Sequence, residues 1–116
     1  MILDKCILQK YTKTMIILPE PLFFEWDKGN ISKNYDKHKV TNQEAEELFS
    51  NEPFIISEDI EHSNEKENRF QALGKTKLGR LLFVSFTIRV EKVRVISMKD
   101  MNRKEEVTYE SIEKNS

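Results

Sequence analysis

Arg80-Leu81-Leu82-Phe83-Val84-Ser85-Phe86-Thr87-Ile88-Arg89 sets the architecture of this chain. Leu82, Val84, Phe86 and Ile88 alternate without a break, the period of a β-strand with one fully apolar face. The other face reads Leu81, Phe83, Ser85, Thr87, Arg89, mixed and ending in a cation. Upstream, Lys77-Leu78-Gly79 is a turn that leads in from a strand over residues 69–75. Downstream, a tight connection at Val90-Glu91 leads to a strand over residues 92–98. Asp100 or Asn102 then caps a last helix over about residues 102–113.

The N-terminal half is helical. Thr41-Asn42-Gln43-Glu44 is a capping box, with Thr41 as N-cap and Glu44 at the third helical position. Ala45, Leu48 and Phe49 form that helix's apolar face, and Asn51-Glu52-Pro53 stops it. An earlier helix is expected over residues 28–37, capped by Asp27, with Ile31, Tyr35 and His38 on one face. Residues 23–26 and 54–56 read as short strands, and residues 57–68 as a polar, acidic loop. Helices segregated from an antiparallel meander define an α+β fold. It has two N-terminal helices, a twisted antiparallel sheet of three to four strands and a C-terminal helix. One sheet face packs on helices, and the other is expected to stay open, polar and basic.

The chain's 116 residues suffice for one domain with a modest core. That domain is expected over residues 23–113, with residues 114–116 as a tail. Residues 1–22 lack a clean period and read as an N-terminal extension. Residues 1–14 are expected to be dispensable, with Met15 an adequate start. No apolar run is long enough to span a bilayer. With a single Cys6 and no secretory leader, the expected compartment is a reducing cytoplasm.

The net charge of −1 hides a segregation. Residues 44–67 carry nine acids and one Lys, while residues 69–104 carry ten Lys or Arg against Glu91 and Asp100. The basic half is a candidate polyanion surface, and the acidic stretch a solvated rim or a partial internal shield. The plainer reading is two solvated faces of an ordinary domain.

Glycines at 29, 74 and 79 fit no phosphate loop, and no Cys/His spacing suggests a metal, so neither cofactor nor metal is expected. What remains is Arg69, Arg80, Arg89 and Arg94 on the meander. Arginine's planar fork suits phosphate oxygens, and several on one sheet face can bind RNA and stabilise a pentacovalent phosphorane. RNA supplies its own nucleophile in the 2′-hydroxyl. Lys37 or His38 can then act as base or acid. Each Arg alone is more often a surface residue. His38 fits a packing role equally well, and His62 reads as an exposed loop residue. Trp26 reads as a core anchor and Asp27 as a cap.

Phe24-Glu25-Trp26-Asp27, Asn34, Lys37-His38 and Val40 resemble the start of BrnT-type toxins. The similarity continues through residues 42–49, Glu61-His62-Ser63, Glu67, Arg69-Phe70, Gly74, Gly79-Arg80, Phe86-Thr87, Val95-Ile96-Ser97, Arg103-Lys104-Glu105 and Tyr109. It covers about residues 22–112 in order. Asn30 stands where the family often has Lys, and Val90 where a hairpin Gly is common. The resemblance implies a RelE-like fold and the ribonuclease toxin of a type II toxin–antitoxin pair, cutting RNA without a metal and blocking translation. It implies a BrnA-like antitoxin with a ribbon-helix-helix DNA-binding part, which carries the complex to operator DNA. A dimer of toxin–antitoxin pairs is the expected assembly. The expected catalytic residues are Lys37, His38 and Arg69, with Arg80, Arg89, Arg94 and Arg103 on the RNA backbone. The alternative is a non-catalytic module that uses the same basic face to bind RNA or a partner protein.

Overall fold

The computed structural model describes residues 18–115. In chain order the elements are β1 (Phe23–Phe24), α1 (Lys33–His38), α2 (Asn42–Ser50), β2 (Ile55–Glu58), β3 (Arg69–Lys75), β4 (Leu81–Arg89), β5 (Lys92–Asp100) and α3 (Arg103–Lys114). The strands form one sheet in the order β1-β5-β4-β3-β2. The class is α+β as expected, but the sheet has five strands and is mixed. β1 runs parallel to β5, and the other pairings are antiparallel. The short strand expected over residues 23–26 is β1, but two residues carry too little pattern to reveal its parallel pairing with β5.

The apolar face of β4 is the centre of the larger core. Leu82, Val84 and Phe86 are fully buried beneath Val40, Ala45, Leu48 and Phe49. Each such side chain contributes about 1.5–3 kcal/mol by leaving water. Phe49 meets Phe86 edge-on at 4.9 Å. Helix α2 reaches this position because Gly74 of β3 lets it approach: a Cβ there would lie 2.7 Å from Leu48 Cγ. Its capping box is present, with Thr41 Oγ1 accepting from Glu44 N at 3.1 Å and Glu44 Oε1 accepting from Thr41 N at 3.0 Å.

The opposite face is only partly open, a second correction. Helix α3 lays Tyr109 and Ile112 on Ile55 and Leu73, with Leu81 and Phe83 partly buried beside them. Tyr109 donates to the Pro53 carbonyl at 2.6 Å, and burial pushes its phenol well above the ordinary range. Asn102, not Asp100, caps this helix in a capping box with Glu105.

The first helix departs most from expectation. Residues 28–32 are turns and α1 begins at Lys33. Ile31 and Tyr35 are about half exposed and His38 is exposed, while Asn30 and Asn34 are buried. Asn30 Nδ2 donates to the carbonyls of Glu25 and Val95, and Asn34 Oδ1 accepts from Met98 N. Two amides thus satisfy the edge of β5 that the short β1 leaves uncovered, so hydrogen bonding positions this segment where an apolar stripe was expected.

The expected dispensable residues 1–14 lie outside the described residues. Of the stretch that follows, Leu18 and Leu22 pack against the larger core.

The β4–β5 hairpin has a strained turn. Val90 and Glu91 sit at φ 48° and 63°, and Val90 is almost fully exposed. Left-handed backbone is costly for a β-branched residue, whereas Asn adopts it readily. Val90→Asn should therefore raise stability by about 1 kcal/mol, seen as a higher urea midpoint with an unchanged slope. An unchanged midpoint would show that the turn stores no strain.

Candidate active site

Beyond the edge of α3 the sheet carries polar side chains, half-buried at Gln71, Ser85 and Ser97 and buried at Ser57 and Thr87. Ser57, Gln71, Ser85 and Ser97 lie opposite one another across β2, β3, β4 and β5. The next row is Arg69, Thr87 and Arg94, with Arg89 and Lys92 beyond it. Directly opposed residues share a face, so this is one shallow polar floor with guanidinium groups at one end.

The chain leaving β2 folds back over this end. Asp59 N donates to the Arg69 carbonyl at 2.8 Å. Ser63 Oγ donates to the Asp59 carbonyl and accepts from Arg69 N, at 2.7 and 2.9 Å. These bonds hold the loop against the first residue of β3. Within it, the buried Asp59 carboxylate sits 2.9 Å from His62 Nδ1 and also accepts from Gln71 Nε2 at 3.2 Å and His62 N at 3.3 Å. A carboxylate only accepts, so Nδ1 carries the proton and Nε2 of the neutral ring keeps its lone pair. His62 Nε2 bonds to no group among the described residues, and its side chain is 58% exposed. Next to Gln71 the Ser57 hydroxyl is buried without a hydrogen-bond partner.

The arginines fall into distinct settings. Arg69 Nε and Arg89 Nη2 bind the two oxygens of Glu67, at 3.1 and 2.8 Å. Hydrogen bonds from Arg89 and then Arg69 hold the Glu67 carboxyl below its usual range. Arg94 is enclosed by Glu25 at 2.8 Å and Asp27 at 2.7 and 3.0 Å. Asp27, expected as a helix cap, spends its carboxylate on Arg94 and on Gly29 N, which depresses its pKa. Arg80 binds Asp100, Glu44 and the carbonyls of His38 and Lys39. Arg103 is on α3, largely exposed, 3.5 Å from Glu106.

Arg69, Arg89 and Arg94 thus lie at one end of the sheet, where the loop that carries His62 is bonded to the Arg69 backbone. Lys37, His38 and Arg80 stand at the other end of the sheet. Arg80 just precedes β4, and Thr87, opposite Arg69, is seven residues further on. At about 3.3 Å per residue the two ends are some 20 Å apart, too far to act on one phosphate. The sequence placed His62 as an exposed loop residue, which it is, and did not single out Asp59. Their spacing within an acidic loop says nothing until Gln71, on another element, fixes the carboxylate.

A family model described as "Ribonuclease toxin, BrnT, of type II toxin-antitoxin system" matches residues 26–105. The chain belongs to this family. No individual curated protein matches it. The span shared with BrnT toxins takes in β2 to β5, both N-terminal helices and the start of α3, and so contains the whole polar floor, His62 and every arginine named above. Membership makes this chain a ribonuclease toxin whose system includes an antitoxin. Among the described residues no helix is long and apolar enough to cross a membrane, and no group of three His, Cys, Asp or Glu is placed to hold a metal ion.

Proposed function

We propose that this BrnT toxin cuts RNA by transesterification on the polar sheet floor, with no metal in the chemistry. The observation that carries the reading is His62, its ring oriented by buried Asp59 within a loop that is bonded to the Arg69 backbone. In the proposed step, Nε2 takes the proton from a ribose 2′-hydroxyl. The 2′-oxygen attacks the adjacent phosphorus, and the bond to the 5′-oxygen breaks. That oxygen leaves as a hydroxyl with a proton from solvent, giving a 2′,3′-cyclic phosphate. Arg69 and Arg89 neutralise the charge that builds on the phosphorane oxygens. Asp59 holds the imidazole in the productive tautomer and stabilises the imidazolium. Gln71 and the Ser63 bridge fix Asp59 and its loop.

The residues expected from sequence divide under this reading. Arg69 keeps a role at the scissile phosphate, and Arg89 joins it there. Arg80 and Arg94, enclosed by their own acceptors, brace the fold. Arg103 is placed to meet RNA outside the cleaved bond. Lys37 and His38 are assigned no step. Cutting RNA in the cytoplasm would block translation. A BrnA-like antitoxin that covers the floor would silence the enzyme, and its ribbon-helix-helix part would take a dimer of toxin–antitoxin pairs to operator DNA.

Cleavage should survive EDTA and leave 2′,3′-cyclic phosphate or 3′-phosphate ends. A single 2′-deoxy substitution at the cut should abolish it. Products with 3′-hydroxyl ends that form only with added Mg²⁺ would overturn the mechanism. RNA binding without cleavage would favour a non-catalytic module.

A further inference from the structure

We infer that Arg69 and Arg89 form a phosphodiester subsite that the Glu67 carboxylate occupies in the free protein, and that an RNA backbone phosphate binds by taking the carboxylate's place. The inference rests on the ribonuclease reading for the identity of its ligand. Its geometry is that of a two-oxygen anion clamped between two guanidiniums. Glu67 Oε1 accepts from Arg69 Nε and Oε2 from Arg89 Nη2. The two non-bridging oxygens of a phosphodiester can accept from the same donors.

The arginines differ in what would have to move. Two of the acceptors around Arg80 are backbone carbonyls, which cannot swing aside without moving α1. Arg94 faces two carboxylates and is only 15% exposed. Arg69 and Arg89 are 35% and 49% exposed, and one carboxylate is shared between two cations. That leaves an excess positive charge facing solvent. The Glu67 backbone is anchored separately, its N–H donating to Asn64 Oδ1 and its carbonyl accepting from Asn64 N. Releasing the carboxylate therefore needs a side-chain rotation, with the loop left in place. Glu67 sets the affinity for RNA by competing with it.

The test is binding of a fully 2′-O-methylated oligonucleotide, which cannot be cut, at 0.1 M salt. Glu67→Gln should bind about fivefold tighter, because no Glu67 ion pair has to be broken before the phosphate docks. The salt slope, which counts the phosphates contacted, should stay the same. Glu44→Gln removes a negative charge beside Arg80 and measures the effect of net charge alone; it should tighten binding less than about twofold. Unchanged or weaker binding by folded Glu67→Gln, or equal tightening by Glu44→Gln, overturns the inference. So does loss of cleavage by Glu67→Gln at unchanged affinity, which would make Glu67 a reacting group. Should the variant fail to fold, the wild-type protein decides. Its Arg69 Nε–H resonance must shift as the oligonucleotide is added, and an unmoved signal overturns the inference. A wild-type protein that cuts RNA while Glu67→Gln binds no tighter loses only the Glu67 competition. One that neither binds nor cuts RNA loses both readings.

Discussion

His62→Gln should lower the RNA cleavage rate by about 10²–10⁴-fold, the usual contribution of a positioned acid–base group. The fold should hardly notice. The imidazole is more than half exposed, and its one side-chain partner, Asp59, keeps Gln71 Nε2 and the His62 backbone N–H as donors. Gln can donate to Asp59 but cannot take up and release a proton near neutral pH. Asp59→Asn is the companion variant. An amide at that position donates to Nδ1, moves the ring proton to Nε2 and removes the lone pair that the mechanism uses. It should also slow cleavage by about 10²-fold or more, with some loss of stability because the site is buried. Single-turnover cleavage with circular dichroism separates the two effects. A folded His62→Gln protein that cuts at the wild-type rate would remove His62 from the chemistry.

Sequence periodicity was informative wherever burial was one-sided and continuous. β3, β4 and α2 lie where alternation, Gly74 and the Thr41–Glu44 capping box place them, because each buries a full apolar face. The sequence failed where position is set by hydrogen bonds between distant residues. Residues 28–38 contain an apolar spacing at Ile31 and Tyr35, yet Asn30 and Asn34 are what dock on β5. The short strand expected over residues 23–26 is present at Phe23–Phe24, but its parallel pairing with β5 was not legible. The site shows the same division. The arginines were visible as a basic run, but which are enclosed and which open depends on Glu25, Asp27, Glu44 and Glu67, and charge counts do not record those pairings. The segregation of acids from bases does have structural content, since Glu44 and Glu67 of the acidic stretch both bind arginines of the basic one.

Arg69→Ala and Arg80→Ala should fail in opposite ways, although both looked alike in sequence. Arg69→Ala removes a cation that meets solvent and Glu67, so the protein should keep its melting temperature. Cleavage should fall by about 10²–10³-fold, as when a charge-stabilising donor is lost from a transition state, and growth arrest on expression should be relieved. Arg80→Ala removes the group that ties the end of α1 to the start of α2 and to Asp100. Those bonds are partly screened, so the loss should be about 1–2 kcal/mol of stability, with the rate per folded molecule nearly unchanged. The pH dependence gives an independent check. Arg80's hydrogen bond holds the Asp100 carboxyl below its usual value of 3.8. A carboxyl depressed in the folded state contributes stability above its unfolded pKa and loses it as pH falls through the folded one. The gap between wild type and Arg80→Ala should therefore be widest near neutrality and close as pH drops below 3.8. No such closing is expected for the activity gap of Arg69→Ala, because that gap reflects phosphate contact and not the fold. If Arg80→Ala is fully stable but inactive, the arginine at the far end of the sheet touches substrate. The active floor would then have to extend the whole length of β4.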